Sequence, residues 1–172
     1  METLRELDAL RRQPAPAAGS DTEQRALAAF AAFFSSFAPD RIETLLAETY
    51  ADDVYFNDTL KSVRGIEALR HYLKDSADAV EDCRVEIHET TRTANGEHLV
   101  RWSMMIRFKK LRRGVDTWTV GMSHLRFDAQ GRVAFMGATN QGATWGIWAG
   151  FPGALELVAR NLYPEAFFGG KV

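Results

Sequence analysis

The hydrophobic period of this chain changes once, and that change limits what it can fold into. Up to about Lys74 the apolar residues recur every three or four positions; from Arg84 onward they alternate. The first spacing stacks side chains on one face of a helix, and the second puts them on one side of a strand. Ser20 or Asp21 can cap a helix whose apolar face carries Leu27, Phe30, Phe34 and Phe37. Pro39 and Asp40 start a second helix, Arg41 to Glu48, and Gly65 to Lys74 reads as a third. Tyr50-Ala51-Asp52-Asp53 reads as a turn, and Val54 to Asp58 as a short strand. Four longer strands follow at 84–91, 97–109, 115–128 and 132–140, the last reached through Ala129-Gln130-Gly131. Helices followed by an antiparallel meander predict an α+β domain.

Alternation divides each strand into two faces. Val100, Trp102, Met104, Ile106 and Phe108 share one side, opposite Arg101, Ser103, Met105 and Arg107. Thr119, Gly121, Ser123, Leu125 and Phe127 share another, opposite Trp118, Val120, Met122, His124 and Arg126. A half-exposed sheet keeps one polar face, but the strand at 115–128 has apolar residues on both. Its outer face is therefore expected to be covered or to form a subunit interface.

With 172 residues, 46% of them hydrophobic, the chain is long enough for one core without disulfides. A formal charge of −2 gives no reason to expect nucleic acid or an anionic membrane. The N-terminal stretch, charged with both signs, has no apolar run of signal-peptide length. With the lone Cys83, this makes a cytoplasmic location the expectation. Pro14 to Gly19 reads as a connector, so residues 1–20 are expected to be a peripheral short helix and linker. Aromatic residues are plentiful, with 11 Phe, 4 Trp and 4 Tyr. Composition leaves open whether they fill a core or line a cavity.

The order of segments resembles a known group of proteins. Two helices lead into A-D-D-V-x-F-x-D at 51–58, then a G-I-E-A-L-R helix at 65–70, then a meander containing S-H-L-R-F-D-A-Q-G-R-V at 123–133. This is similar to the nuclear transport factor 2-like superfamily, and within it to SnoaL-like polyketide cyclases and ketosteroid isomerase-like proteins. The resemblance covers residues 21–141 and leaves 142–172 as an aromatic C-terminal extension with Trp145, Trp148 and Phe151. It implies a cystatin-like cone, with N-terminal helices against a curved antiparallel sheet of four to six strands. It also implies an apolar pocket, and a homodimer through the outer sheet face at Trp118, Val120 and Met122.

On that resemblance Asp58 matches the general base of the isomerase-like enzymes. A carboxylate beside an apolar pocket is suited to moving protons. The alternative reading of Asp58 is a turn cap within Asn57-Asp58-Thr59. The isomerase mechanism also needs a tyrosine and a protonated carboxylic acid to hold an oxyanion. Phe30, Phe33 or Phe34 stands where the tyrosine would be, and Ser123 replaces the acid. Steroid isomerisation by that route is not expected. The predicted lining is Phe30, Phe34, Tyr55, Phe56, Trp102, Met104, Ser123, Met136 and Asn140, with Ile106, Gly121 and Ala138 between them. The histidines show no metal-binding spacing, and no cofactor is expected. Two functions follow. One is binding of a hydrophobic, oxygen-bearing small molecule, with acid–base chemistry of isomerase, cyclase or dehydratase type at Asp58. The other is a non-catalytic binding or dimeric assembly module whose cavity is filled.

Overall fold

The computed structural model describes residues 2–35, 38–58, 61–110 and 114–141, except the side chains of Thr139, Asn140 and Gln141. The expectations for Phe37 and for the aromatic segment from residue 142 lie outside the described residues. Four helices, α1 (Glu2–Arg11), α2 (Asp21–Phe34), α3 (Pro39–Thr49) and α4 (Ile66–Ala79), accompany six strands. These are β1 (Tyr50–Asn57), β2 (Ser62–Arg64), β3 (Val80–Arg92), β4 (His98–Phe108), β5 (Asp116–Phe127) and β6 (Val133–Gln141). The sheet runs β2-β1-β6-β5-β4-β3 and is not closed. This is the α+β architecture expected from the change of period.

Local signals start and stop these elements. Ser20 caps α2, its Oγ accepting from Glu23 N at 3.2 Å. Pro39 opens α3, where the missing N–H costs nothing. Gly131 closes the β5–β6 hairpin at a φ of +85°, conformational space that a side chain would oppose. Asp128 Oδ1 accepts from Gln130 N and Arg132 N in the same turn.

Two strand expectations change. Tyr50-Ala51-Asp52-Asp53 is not a turn but the start of β1, which pairs with β6 in parallel through a register shift between Tyr50 and Tyr55. The shift absorbs the two exposed aspartates while Tyr50, Ala51 and Val54 stay buried. The three-residue β2 was not expected, and it pairs antiparallel with the end of β1.

Helices α2, α3 and α4 cover the inner face of the sheet. Phe30, Phe34, Ile42, Leu46, Leu69 and Leu73 join Val54, Phe56, Val100, Trp102, Leu125 and Met136 in one core cluster. The end of α2 is tied to the sheet by Val85 N donating to Ser35 O at 3.1 Å.

Helix α1 sits on the opposite face rather than at the periphery. Leu7 is 3% exposed and packs with Tyr55 and Phe135 in a second cluster, with Leu10 alongside. Arg126 explains the attachment: its guanidinium donates to Leu10 O, Arg11 O and Gln13 O at 2.8, 3.4 and 2.8 Å. These carbonyls lie in the last turn of α1 and just beyond it, where a cation is favoured. A cation from a strand more than a hundred residues away thus caps α1.

Candidate functional site

The alternation within β1 sends Phe56 inward and its neighbour Tyr55 outward. Tyr55 therefore does not join the inner lining. Its ring stacks on Phe135 at 5.7 Å on the face under α1, and its hydroxyl lies 3.1 Å from Thr3 Oγ1. Two adjacent strand residues cannot both face the core, and Phe56 takes the inner place.

The rest of the described lining is brought together, and it is packed ring on ring. Phe30 stacks on Phe34 at 5.1 Å, and Phe34 meets Trp102 edge-on at 5.6 Å. Trp102 Nε1 donates to Ser123 Oγ at 3.0 Å, and Ser123 is fully buried. The indole lies directly over Gly121, where an added Cβ would come within 2.3 Å of Trp102. Gly121 is thus the residue that lets a large ring lie flat on the inner face. Met136 is buried, and its sulfur accepts from the Tyr50 hydroxyl at 3.4 Å. Met104 and Ile106 are half-buried, and Ala138 is buried. The backbone of Asn140 pairs with Gly121 across β6 and β5; its side chain lies outside the described residues.

Asp58 stands where β1 ends, at the edge of this core. Its two oxygens have different work. Oδ1 accepts from Lys61 N at 3.0 Å, and Asp58 N donates to Lys61 O at 3.2 Å. Oδ2 accepts from the hydroxyl of Tyr72 on α4. The turn contact and the contact with Tyr72 therefore coexist in one side chain. Tyr72 packs against Phe56 at 5.9 Å, and Lys61 Nζ lies 5.3 Å from its ring centroid. Burial, then the charge of Asp58 and the hydrogen bond to it, push the Tyr72 phenol well above its ordinary range. It therefore stays protonated as a donor at neutral pH.

Tyr72 was not singled out from sequence. Its signal was its place in the G-I-E-A-L-R helix, seven residues after Gly65 and on the same side as Leu69 and Leu73. Tyr50 was missed too. It is fully buried against Phe33 at 5.3 Å, and burial raises its phenol pKa.

Other candidates lie elsewhere. Trp118 is 57% exposed on the outer face, Val120 is exposed beside it and Met122 is half-buried. His88 Nε2 and Ser103 Oγ are 2.8 Å apart on the same face, but Glu86 is 3.9 Å from the ring and the strand amides are committed to the ladder. That pair lacks both an orienting acid and oxyanion donors. A groove of about 300 Å³ lies outside the core, lined by Pro39, Asp40, Glu43, Lys74 and Asp78. It touches neither Asp58 nor the aromatic lining. Among the described residues no group of three or more His, Cys, Asp or Glu could hold a metal, and no helix is long and apolar enough to cross a membrane.

A family model for the SnoaL-like domain matches residues 27–136, from within α2 to the first part of β6. The chain belongs to the SnoaL-like family. Solved structures of low sequence identity share this SnoaL-like fold. A proposed SnoaL-like polyketide cyclase from Jannaschia sp. CCS1 superposes with a TM-score of 0.61 at 14% identity, covering 78% of this chain and 99% of that one. A protein with a ketosteroid isomerase-like fold from Catenulispora acidiphila, in complex with trimethylamine, gives 0.59 at 14% identity, covering 73% and 90%. An LEH-like epoxide hydrolase from M. tuberculosis gives 0.55 at 17% identity, covering 83% and 96%. Such identities establish the fold of this SnoaL-like chain and not its reaction. No curated protein is similar to it in sequence at a significant level.

Proposed function

We propose that this SnoaL-like protein binds a hydrophobic, oxygen-bearing small molecule at the apolar inner face of its sheet, with Asp58 and Tyr72 as the polar pair that orients it and moves a proton. The observation that carries this reading is the hydrogen bond from the Tyr72 hydroxyl to Asp58 Oδ2, made at the edge of the Phe56 and Phe34 cluster. A carboxylate whose plane is fixed by a phenol on one oxygen and an amide on the other is positioned for proton transfer rather than left to rotate. Asp58 would accept a proton from a carbon or hydroxyl of the ligand. Tyr72, held as a phenol, would then turn its O–H to the ligand oxygen that gains charge. The family name, and a neighbour described as a polyketide cyclase, agree with a ligand of polyketide type.

The test is deuterium wash-in at the α-carbon of β-tetralone, an aromatic ketone, followed by proton NMR. Wild-type protein is expected to accelerate it, and Asp58→Asn to lower the rate by about 10² or more. Equal rates with and without protein, together with no ligand carried through native mass spectrometry, would sink the reading.

One observation favours the second reading, a non-catalytic module with a filled interior. Trp102 over Gly121 and Ser123 occupies part of the inner face with the protein's own side chain. On that reading β-tetralone would bind Trp102→Ala and leave wild type unbound.

A further inference from the structure

We propose that the N-terminal helix is an acid-released cover: acidification detaches α1 from the outer face of the sheet while the helices of the inner face remain packed, and two buried glutamates form the latch. The argument starts from two neighbours. Glu97 and His98 stand side by side where the chain enters β4, so alternation sends them to opposite faces. Each is 2% exposed. Each belongs to its own glutamate–histidine–arginine group.

On the outer face, Glu97 accepts from Arg11 Nε of α1 at 2.6 Å and from His124 Nε2 of β5 at 2.8 Å. On the inner face, Glu23 of α2 accepts from His98 Nε2 at 3.0 Å, from Arg92 Nε of β3 at 2.7 Å and from Gly19 N at 2.7 Å. Arg11 and Gly19 are the two ends of the connector between α1 and α2. Each end is thus tied to the domain through the charge of one buried carboxylate. The remaining charged groups nearby are Asp8, which accepts from Arg11 Nη1 at 2.9 Å, and Arg126, which holds the carbonyls at the end of α1 and also Asn95 O.

Proton uptake breaks these ties in one direction. Burial opposes the charge on Glu97, and the bonds from Arg11 and His124 outweigh it, leaving the carboxyl below its ordinary value of 4.5. Glu23 shows the same balance, with Gly19, Arg92 and His98 outweighing burial. His98 is held neutral, because burial outweighs the pull of Glu23. Its Nδ1 has no hydrogen-bond partner among the described residues, so a proton there would be a buried donor with none of them to receive it. A protonated Glu97 no longer holds Arg11 by charge, and then Arg126, the pair of Glu6 with Arg64, the Thr3–Tyr55 hydrogen bond and one apolar cluster are left to retain α1. That cluster, Leu7 with Tyr55 and Phe135, is small beside the inner core. The cover therefore opens first.

Hydrogen exchange of the full chain, read as protection factors so that the intrinsic pH dependence of exchange is divided out, tests the proposal. Between about pH 7 and about pH 3, α1 amides are expected to lose about tenfold or more in protection while β4 and β5 keep theirs. Glu97→Gln, which cannot titrate, is expected to remove most of that pH dependence from α1. Arg11→Gln changes an exposed side chain and is expected to lower α1 protection about tenfold at neutral pH without affecting β5, so the proposal stays testable if Glu97→Gln fails to fold. Loss of α1 and β5 protection at the same pH in the wild type would overturn it. So would a Glu97→Gln profile that superimposes on the wild type, or an Arg11→Gln variant with α1 as protected as before.

Discussion

The two faces of the sheet are held by different physics. On the inner face, three helices meet the strands through Phe, Leu, Ile and Trp side chains, with polar groups among them such as Trp102 with Ser123 and Glu23 with His98 and Arg92. On the outer face, one ten-residue helix is retained by three buried apolar residues and a set of charged hydrogen bonds. Apolar burial grows with area and ignores pH. Charge pairing adds little area, and it depends on protonation. The inner face is therefore expected to respond most to packing mutations, and the helix on the outer face most to acid.

The largest effect should come from the inner face. Trp102→Ala removes a buried indole and leaves Ser123 without its donor, and should cost about 3–5 kcal/mol in chemical denaturation. A loss below about 1 kcal/mol would mean that the ring is not part of the core. Leu7→Ala tests the outer face; it should cost about 2 kcal/mol, the low end for a buried leucine, because α1 can shift to close the gap. Its effect should appear in exchange of α1 and of the strands beneath it, and leave α3 and α4 unchanged.

Acid should separate the faces next. His98 sits below its ordinary 6.5, so the unfolded chain takes its proton first and stability starts to fall as pH drops through that value. Glu23 and Glu97 lie below 4.5, so their contribution is present above that value and is lost as pH falls further. A melting temperature that declines in two stages in the wild type, and loses the upper stage in His98→Gln, would agree with this order. A flat profile down to about pH 3 would remove the acid dependence assigned to these three buried groups. The smallest effect belongs to neither face. Lys74→Ala breaks an exposed pair with Glu43 between α3 and α4, and should leave the chemical-denaturation midpoint close to that of the wild type.

The site shows where sequence reading stops. Asp58 was legible because it ends an alternating strand beside Phe56. Its partner Tyr72 was not, because fourteen residues and a whole β2 hairpin separate the two. Tyr55 was placed in the lining although period two had already assigned the inner side to Phe56. The aspartates of Tyr50-Ala51-Asp52-Asp53 suggested a turn, and pairing with β6 overrode that preference by giving the backbone a ladder to join.

What the sequence determined by itself is what depends on neighbours within a turn or a strand: the switch of period, the Ser20 cap, the Pro39 start, the Gly131 hairpin and the two-faced fifth strand. These are set by torsion angles and side-chain direction over a few residues. Only the tertiary structure decided that β1 runs parallel to β6, that Tyr72 meets Asp58, and that α1 covers the outer face under the grip of Arg126 and Glu97. Each of these joins residues far apart in the chain. Such contacts form only when the whole sheet is assembled, because no local run of residues carries the entropy cost of bringing them together.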